Sequence, residues 1–173
     1  MSRMSRDQQV LAIQPDAGTV LVLHPGDVVC ADRGDRLETL LGSCLAIVLT
    51  DPRRTVGVMC HIVHSRPASS AARASGAHAS TAHAGAALVA MYTLLRARGI
   101  EPTQCEAYVY GGGNMFPGIF MQSHVGDDNT DWALDALADD GIPVLLNDVG
   151  GDTYRRLAWT VGPDLPQVIA VAL

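Results

Sequence analysis

The sequence predicts a single α+β domain with an antiparallel or mixed β-sheet core, sandwich-like, and two main helices packed on its outside. Three observations support this class. The predicted strands outnumber the predicted helices, and hairpins outnumber helical crossovers between strands. The 173 residues suit one domain with a substantial core. A doubly wound parallel sheet is therefore not expected.

The N-terminal part of the chain is expected to divide into an extension and a folded domain. Residues 1–17 are interpreted as a flexible extension, and residues 18–173 as the domain. The first two strands are predicted at 19–23 and 27–30, on either side of a turn at His24-Pro25-Gly26. Pro and Gly in sequence are strong turn signals.

Two apolar runs, at 45–50 and 55–63, predict a central hairpin because they are rich in Val, Ile and Leu. The turn between them begins Asp-Pro, which suits its first two positions. A hairpin centred between Pro52 and Arg53 places Cys44 directly opposite His61. Directly opposed residues share a face, with Cβ atoms about 4.5–5.5 Å apart. The pairing predicts a thiol–imidazole hydrogen bond, which a one-residue slip would abolish.

The Ala- and Ser-rich stretch at 64–85 is interpreted as a mobile surface loop that leads into a helix. Loops of this length often border a functional site. The helix is expected to begin near Ser80 or Thr81, either of which can cap it. Gly99 suits the left-handed residue that ends it. Four residues at helical spacing form its apolar face: Leu88, Met91, Tyr92 and Leu95.

The second half of the chain is predicted to contain one further helix and four strands. The helix is expected at 130–139, capped by Asn129 and ended by Gly141. The glycine run at 111–113 lacks the Lys-Ser/Thr of a phosphate-binding loop, so it is interpreted as a backbone turn. The strands are predicted at 105–110, 142–146, 157–161 and 167–171, the last two as a hairpin.

Composition excludes several classes of function. The formal net charge is −6 and the basic residues are scattered, so a nucleic-acid partner is not expected. No run approaches the roughly 18 apolar residues of a membrane-spanning helix, and no secretory signal is visible. We expect a cytoplasmic protein without direct membrane insertion. Its cysteines are then free thiols, and three of them are expected in the core: Cys30, Cys60 and Cys105.

Cys44 is the candidate nucleophile. A free cysteine titrates near pH 8.5, so thiolate formation at neutral pH needs a neighbouring base, which His61 would supply. Gly42 is expected to allow a sharp turn before Cys44, so that the backbone N–H groups of Ser43 and Cys44 can bind a developing oxyanion. The residues alone leave an alternative open, in which Cys44 is a buried strand residue and His61 a hydrogen-bonded core histidine.

The remaining polar motifs are given structural interpretations. Arg155 and Arg156 are expected at a solvated strand end. Four histidines fit no common zinc spacing, so neither a metal site nor a cofactor is predicted. These four are His64, His78, His83 and His124.

Residues 41–63 resemble the chemotaxis protein CheD family, the chemoreceptor glutamine deamidases. The resemblance lies in a Leu-Gly-Ser-Cys start, an Asp-Pro turn, a Gly-x-Met-x-His strand and the seventeen residues from Cys44 to His61. Three later segments, 111–116, 124–129 and 148–151, are similar to family motifs and occur in the same order. The resemblance covers about residues 20–173.

The resemblance implies a hydrolase of the cysteine type that converts receptor glutamine side chains to glutamate. Cys44 would be the nucleophile, His61 the base and Thr39 the residue that orients the histidine. In some relatives the threonine lies six residues before the cysteine, a position held here by Glu38. The implied partners are methyl-accepting chemoreceptors, as substrates, and a CheC-type phosphatase. A receptor-binding module with little catalysis and a hydrolase of another amide remain the alternatives.

Overall fold

The computed structural model describes residues 18–66 and 80–173. Within them the chain forms nine strands and two α-helices. In chain order these are β1 Val20–Leu23, β2 Val28–Asp32, β3 Arg36–Leu41, β4 Leu45–Thr50, β5 Val56–Ile62, α1 Ala84–Ala97, β6 Glu106–Gly111, α2 Val125–Asp139, β7 Val144–Val149, β8 Thr153–Thr160 and β9 Gln167–Ala172. The extension expected at residues 1–17 and most of the loop expected at 64–85 lie outside the described residues.

The strands form two sheets, one with the order β1-β3-β8-β9 and one with the order β2-β5-β4-β6-β7. Both sheets are mixed, because β1 pairs with β3 and β6 with β7 in parallel, while the other pairs are antiparallel. The two helices contact the five-stranded sheet. The predicted α+β sandwich with two outer helices is therefore confirmed.

Two apolar clusters separate the three layers. One lies between the sheets and includes Leu37, Met59 and Trp159. The other lies between the five-stranded sheet and the helices, and includes Ile47, Cys60 and Met91. Every residue of β4 and β5 is buried, since both faces of their sheet are covered. The continuous apolar runs of these strands follow from that double burial.

The β4–β5 hairpin forms, but the predicted register is wrong by two residues. Thr50 pairs with Gly57 and Ala46 with His61. The four-residue turn is present, with the N–H of Arg54 donating to the carbonyl of Asp51 at 2.8 Å. Arg54 then adopts a left-handed φ of 53° and the ladder begins only beyond it. A shift of two residues leaves each side chain on its predicted face.

Both helices begin at a histidine rather than at the expected caps. The Nδ1 of His83 accepts a hydrogen bond from the Gly85 N–H, and the Nδ1 of His124 accepts one from the Gly126 N–H, each at 3.1 Å. The caps predicted at Ser80 or Thr81 and at Asn129 are wrong, because an imidazole nitrogen fills the role of the usual oxygen acceptor.

The glycines predicted to end the helices are confirmed, whereas one strand and the position of one arginine differ from the predictions. Gly99 and Gly141 follow the two helices with φ of 73° and 71°, as predicted. Strand β3 was not predicted, since its sequence RLETLL is rich in helix-forming residues. Arg155 is 4% exposed and pairs with Asp148 at 3.0 Å, so its assignment to a solvated strand end is wrong, whereas Arg156 is exposed.

Candidate active site

Three segments bring Thr39, Cys44 and His61 to the lining of one cavity. Thr39 lies in β3 of the four-stranded sheet, His61 in β5 of the five-stranded sheet, and Cys44 directly before β4. All three line an open cavity of about 830 Å³. The chain crosses from one sheet to the other between β3 and β4, so the thiol is presented where the sheets meet.

Thr39 makes two hydrogen bonds that fix the state of the imidazole. Its Oγ1 donates to the carbonyl of Leu23 at 2.9 Å and lies 2.8 Å from the Nδ1 of His61. The hydroxyl has one proton, which the Leu23 carbonyl receives. Both bonds therefore form together only when Nδ1 carries a proton and donates it to Oγ1. The Nε2 of His61 is then left with its lone pair.

Burial sets the charge state of His61. The residue is 3% exposed, and desolvation lowers the pKa of the imidazole below its ordinary value of 6.5. Hydrogen bonding to the Leu23 backbone and the negative charge of Asp27 raise the pKa of His61, but by less than burial lowers it. The ring is therefore neutral at pH 7, as a general base must be before it takes a proton.

Cys44 is half-buried and packs against the cluster between the sheets, on the side of β4 and β5 that His61 faces. In the observed register the two residues are diagonal rather than directly opposite. No hydrogen bond joins the thiol to the imidazole in the described part of the chain, so the predicted thiol–imidazole bond is not formed here. Burial raises the pKa of the Cys44 thiol above its ordinary value, and the resting group is the thiol.

The other three cysteines do not line the cavity that Cys44 and His61 share. Cys60 precedes His61 but points to the helix side of the sheet, is fully buried, and burial raises its pKa to about 12. Cys105 is also buried, and Cys30 packs at the edge of the same cluster. All four cysteines are free thiols. The expectation that three of them serve as small apolar residues is confirmed, most clearly for Cys60 and Cys105.

The loop before β4 is held by the glycine run after β6. The Gly113 N–H donates to the carbonyl of Gly42 at 2.9 Å, and the Gly112 N–H donates to the carbonyl of Cys44 at 2.8 Å. Gly112 has a φ of 65°. The run is a backbone turn, as predicted, and it also fixes the loop that carries the thiol. A Cβ at Gly42 would lie 2.9 Å from the Sδ of Met115, a contact that the flexible Met115 side chain can relieve by moving.

Asn129, which the sequence predicted as a helix cap, contacts the loop that carries Cys44. It lies in the second turn of α2 and is 1% exposed. Its Nδ2 donates to the carbonyl of Ser43 at 3.2 Å and to that of Val63 at 3.0 Å. No local pattern could reveal this role, because the two carbonyls are 86 and 66 residues away in the sequence.

The rim of the cavity combines exposed apolar side chains with charged ones. Val22, Leu40 and Ile169 are all more than half exposed on the outer face of the four-stranded sheet. An ion pair between Arg36 and Glu38 lies beside them. The opening therefore presents a surface wider than a small amide would contact.

The structure gives His64, His83 and His124 structural roles. His83 and His124 cap the helices, and the rings of His64 and His83 meet edge to face with centroids 5.4 Å apart. His78 lies outside the described residues. Within 18–66 and 80–173, no three His, Cys, Asp or Glu side chains converge as metal ligands. Over the same residues, neither helix is long and apolar enough to cross a membrane.

A thiol and a hydroxyl-bonded imidazole on one open cavity, in an α+β sandwich, define a candidate cysteine hydrolase. A family model described as CheD chemotactic sensory transduction matches residues 67–162. A protein of Albidiferax ferrireducens named probable chemoreceptor glutamine deamidase CheD 2 is 35% identical over 143 residues, which are 82% of this chain and 81% of that protein. The chain belongs to the CheD family.

Further relatives are similar over the same extent. A probable chemoreceptor glutamine deamidase CheD of Pseudomonas syringae pv. syringae is 33% identical over 80% of this chain and 77% of the relative. A protein of Dechloromonas aromatica with the same description, CheD 3, is 30% identical over 80% of each chain. The family model begins after His61, so its match does not include Thr39, Cys44 or His61.

Proposed function

We propose that this protein is a protein-glutamine deamidase that converts glutamine side chains of chemoreceptors to glutamate and releases ammonia. Membership of the CheD family and the names of its relatives support this activity. The observation that carries the assignment of the site is the 2.8 Å contact between Thr39 and His61 in the cavity that Cys44 lines. The deamidase domain would span residues 18–173.

The proposed reaction is acyl transfer through the thiol. His61 Nε2 takes the proton of the Cys44 thiol, and the thiolate attacks the carboxamide carbon, which moves an electron pair onto the amide oxygen. Nε2–H then protonates the nitrogen, which leaves as ammonia, and a thioester remains. Water gives a proton to Nε2 and attacks the thioester, which releases the carboxylic acid and the thiolate, and Nε2–H returns its proton to the thiolate. The carboxylic acid ionises and ammonia takes up its proton, so the sum is glutamine and water to glutamate and ammonium.

Thr39 would act through the imidazole. Its contact holds the proton at Nδ1, so the lone pair at Nε2 remains available to the thiol. The resting state is a neutral thiol and a neutral imidazole, since burial raises the pKa of Cys44 and lowers that of His61. The transfer of one proton would therefore accompany substrate binding, when hydrogen bonds at such sites commonly tighten.

The substrate would be a glutamine displayed on a protein surface, because the cavity opens among exposed apolar side chains. The proposed location is the cytoplasm, where free thiols persist. The family resemblance also supports a CheC-type phosphatase as a second partner, which co-purification of the two proteins would test. A binding module without turnover would have no need of an imidazole whose Nε2 is kept unprotonated.

Cys44→Ala tests the nucleophile, with Cys60→Ala as its matched control. Each variant is incubated with receptor cytoplasmic fragments, ammonia is measured, and glutamine-to-glutamate conversion is located by mass spectrometry. Cys44→Ala should abolish conversion, and Cys60→Ala should retain it, because the Cys60 thiol faces the helices. If the wild type converts none of the host's receptors, the receptor-binding module becomes the better assignment.

His61→Gln tests the base in the same assay. The expected loss in kcat is about a thousandfold, within the range of a removed general acid–base group. Gln retains a hydrogen-bonding side chain, so the fold should persist, which circular dichroism would verify. A His61→Gln variant with substantial turnover would refute the assignment of His61.

A further inference from the structure

We propose that Asn129 is a positioning residue that aims the backbone N–H of Cys44 into the cavity, where it binds the oxygen of the tetrahedral intermediate. This inference rests on the proposed deamidase function. It starts from the two hydrogen bonds of the buried amide, to the carbonyls of Ser43 and Val63.

The orientation of the Asn129 amide is fixed by its partners. Both neighbours are carbonyl oxygens, which accept and cannot donate, so the NH2 group must face them. The Oδ1 atom then points away and is buried without a partner in the described part of the chain. An unpaired buried acceptor is costly. The side chain therefore satisfies the two carbonyls at the expense of its own oxygen.

The planarity of the peptide bond transmits this contact to the nucleophile. In a trans peptide the C=O of Ser43 and the N–H of Cys44 point in opposite directions. Asn129 belongs to α2, which packs on the helix side of the five-stranded sheet, so the Ser43 carbonyl points to that side. The Cys44 N–H is thus directed to the opposite side, which is the side of the cavity, the thiol and His61.

The neighbouring carbonyls are also held in place. Those of Gly42 and Cys44 accept from the Gly113 and Gly112 N–H groups. Three successive carbonyl groups of the loop are therefore fixed. Within residues 18–66 and 80–173, no hydrogen bond engages the N–H of Ser43 or of Cys44. Donors that are fixed in direction and left free are what an oxyanion requires.

The test replaces Asn129 and measures three quantities. Asn129→Ala removes the donor, and Asn129→Leu removes it while filling the same volume, so that loss of packing is separated from loss of the hydrogen bonds. Asn147→Ala, at an exposed amide of β7, is the matched control. The measurements are kcat and KM for deamidation, the alkylation rate of Cys44 by iodoacetamide read by peptide mass, and the amide cross-peak of Cys44 in a ¹H–¹⁵N spectrum.

We expect kcat to fall about tenfold to a hundredfold in both Asn129 variants, less than the loss when an oxyanion donor is removed outright. KM should change little, and alkylation should proceed at the wild-type rate, because iodoacetamide reacts without an oxyanion. The Cys44 cross-peak should move while that of Thr50, at the far end of β4, stays in place. Asn147→Ala should match the wild type throughout.

Two results would overturn the inference. One is a kcat near the wild-type value in both variants. The other is a parallel loss of kcat and alkylation, which would show a general loosening of the fold. If the wild type itself deamidates no receptor, the proposed function fails separately. The spectrum then decides about Asn129: a displaced Cys44 cross-peak supports the positioning role, and an unchanged one refutes it.

Discussion

The two ends of the β4–β5 hairpin use their polar groups in opposite ways. At the turn end, the carboxylate of Asp51 accepts from the N–H groups of Thr55 and Val56 at 2.8 and 3.0 Å, and from the Thr55 hydroxyl at 2.9 Å. Arg54 donates to the hydroxyl of Tyr108 and to the carbonyl of Pro163. These polar groups therefore have hydrogen-bond partners within the chain.

At the open end, the polar groups are held in place but left without hydrogen-bond partners in the described residues. The carbonyls around Cys44 are bound, yet in the part of the chain that the structure describes neither its N–H nor the Nε2 of His61 has a partner. Matched groups stabilise a fold, whereas fixed and unmatched ones are available to a substrate. The comparison supports the proposal that the turn end serves stability and that the open end serves the proposed reaction.

Two buried threonines, one at each end of the hairpin, provide a direct test of this difference. Thr39 at the open end bonds His61, and Thr50 at the turn end donates to the carbonyl of Val56 at 2.8 Å. Thr→Val keeps the shape and removes the hydroxyl. Thr39→Val should lower kcat about tenfold. The lost hydrogen bond is worth about 1 kcal/mol, and without it the imidazole proton is no longer held at Nδ1. Thr50→Val should leave kcat within about twofold of the wild type.

Both substitutions should lower the free energy of unfolding by about 1–2 kcal/mol, measured by urea denaturation, since each leaves a buried carbonyl with one partner fewer. Equal losses of stability with unequal losses of kcat would support the division between the two ends. A Thr39→Val variant as active as Thr50→Val would remove Thr39 from the proposed site.

Much of the sandwich was predictable because burial leaves a pattern in the sequence. The apolar runs predicted strands β4 and β5 correctly, and the two glycines correctly predicted where the helices end. The hairpin register was not predictable, because the left-handed Arg54 and the bonds to Asp51 depend on a turn geometry that the dipeptide signal does not specify. Strand β3 was missed because its Leu and Glu residues favour helix equally well.

The candidate site was predictable only in part. Cys44 and His61 were expected on one face, and they are, because a register error of two residues preserves the face. Thr39 came from the family resemblance, since the strand that carries it was not foreseen. Asn129 was interpreted as a helix cap, which is the commonest local use of asparagine. Contacts between distant segments determine its actual role, and no local signal encodes them.

The pH dependence of kcat/KM should reflect the buried imidazole at the open end. An imidazole with a pKa of 6.5 loses about threefold of its neutral form between pH 7 and pH 6. Because burial lowers the pKa of His61, the loss of kcat/KM over this interval should be smaller than about threefold. Initial rates in buffers of constant ionic strength would measure it. An acid limb above pH 6.5 would contradict the neutral resting state.

Substitutions at the turn end should change stability and not catalysis. Asp51→Ala is the variant with the smallest expected effect on kcat. Burial acts to raise the pKa of Asp51, but the hydrogen bonds from Val56 and Thr55 outweigh it and lower the pKa below 3.8. The unfolded chain therefore binds more protons as the pH falls below that value, and the stabilising contribution of the carboxylate is lost there. Above it, Asp51→Ala should lower the free energy of unfolding by about 1–3 kcal/mol with kcat unchanged.

Asp131→Ala, at an exposed position of α2, is the control for removal of a negative charge, and it should change neither quantity. The difference in stability between wild type and Asp51→Ala should shrink as the pH falls below 3.8, because protonation removes the same acceptors that the substitution removes. If Asp51→Ala instead lowers kcat as far as Thr39→Val does, the two ends are mechanically coupled through β4 and β5. The fixed geometry at Cys44 would then depend on the turn as well as on the glycine run and Asn129.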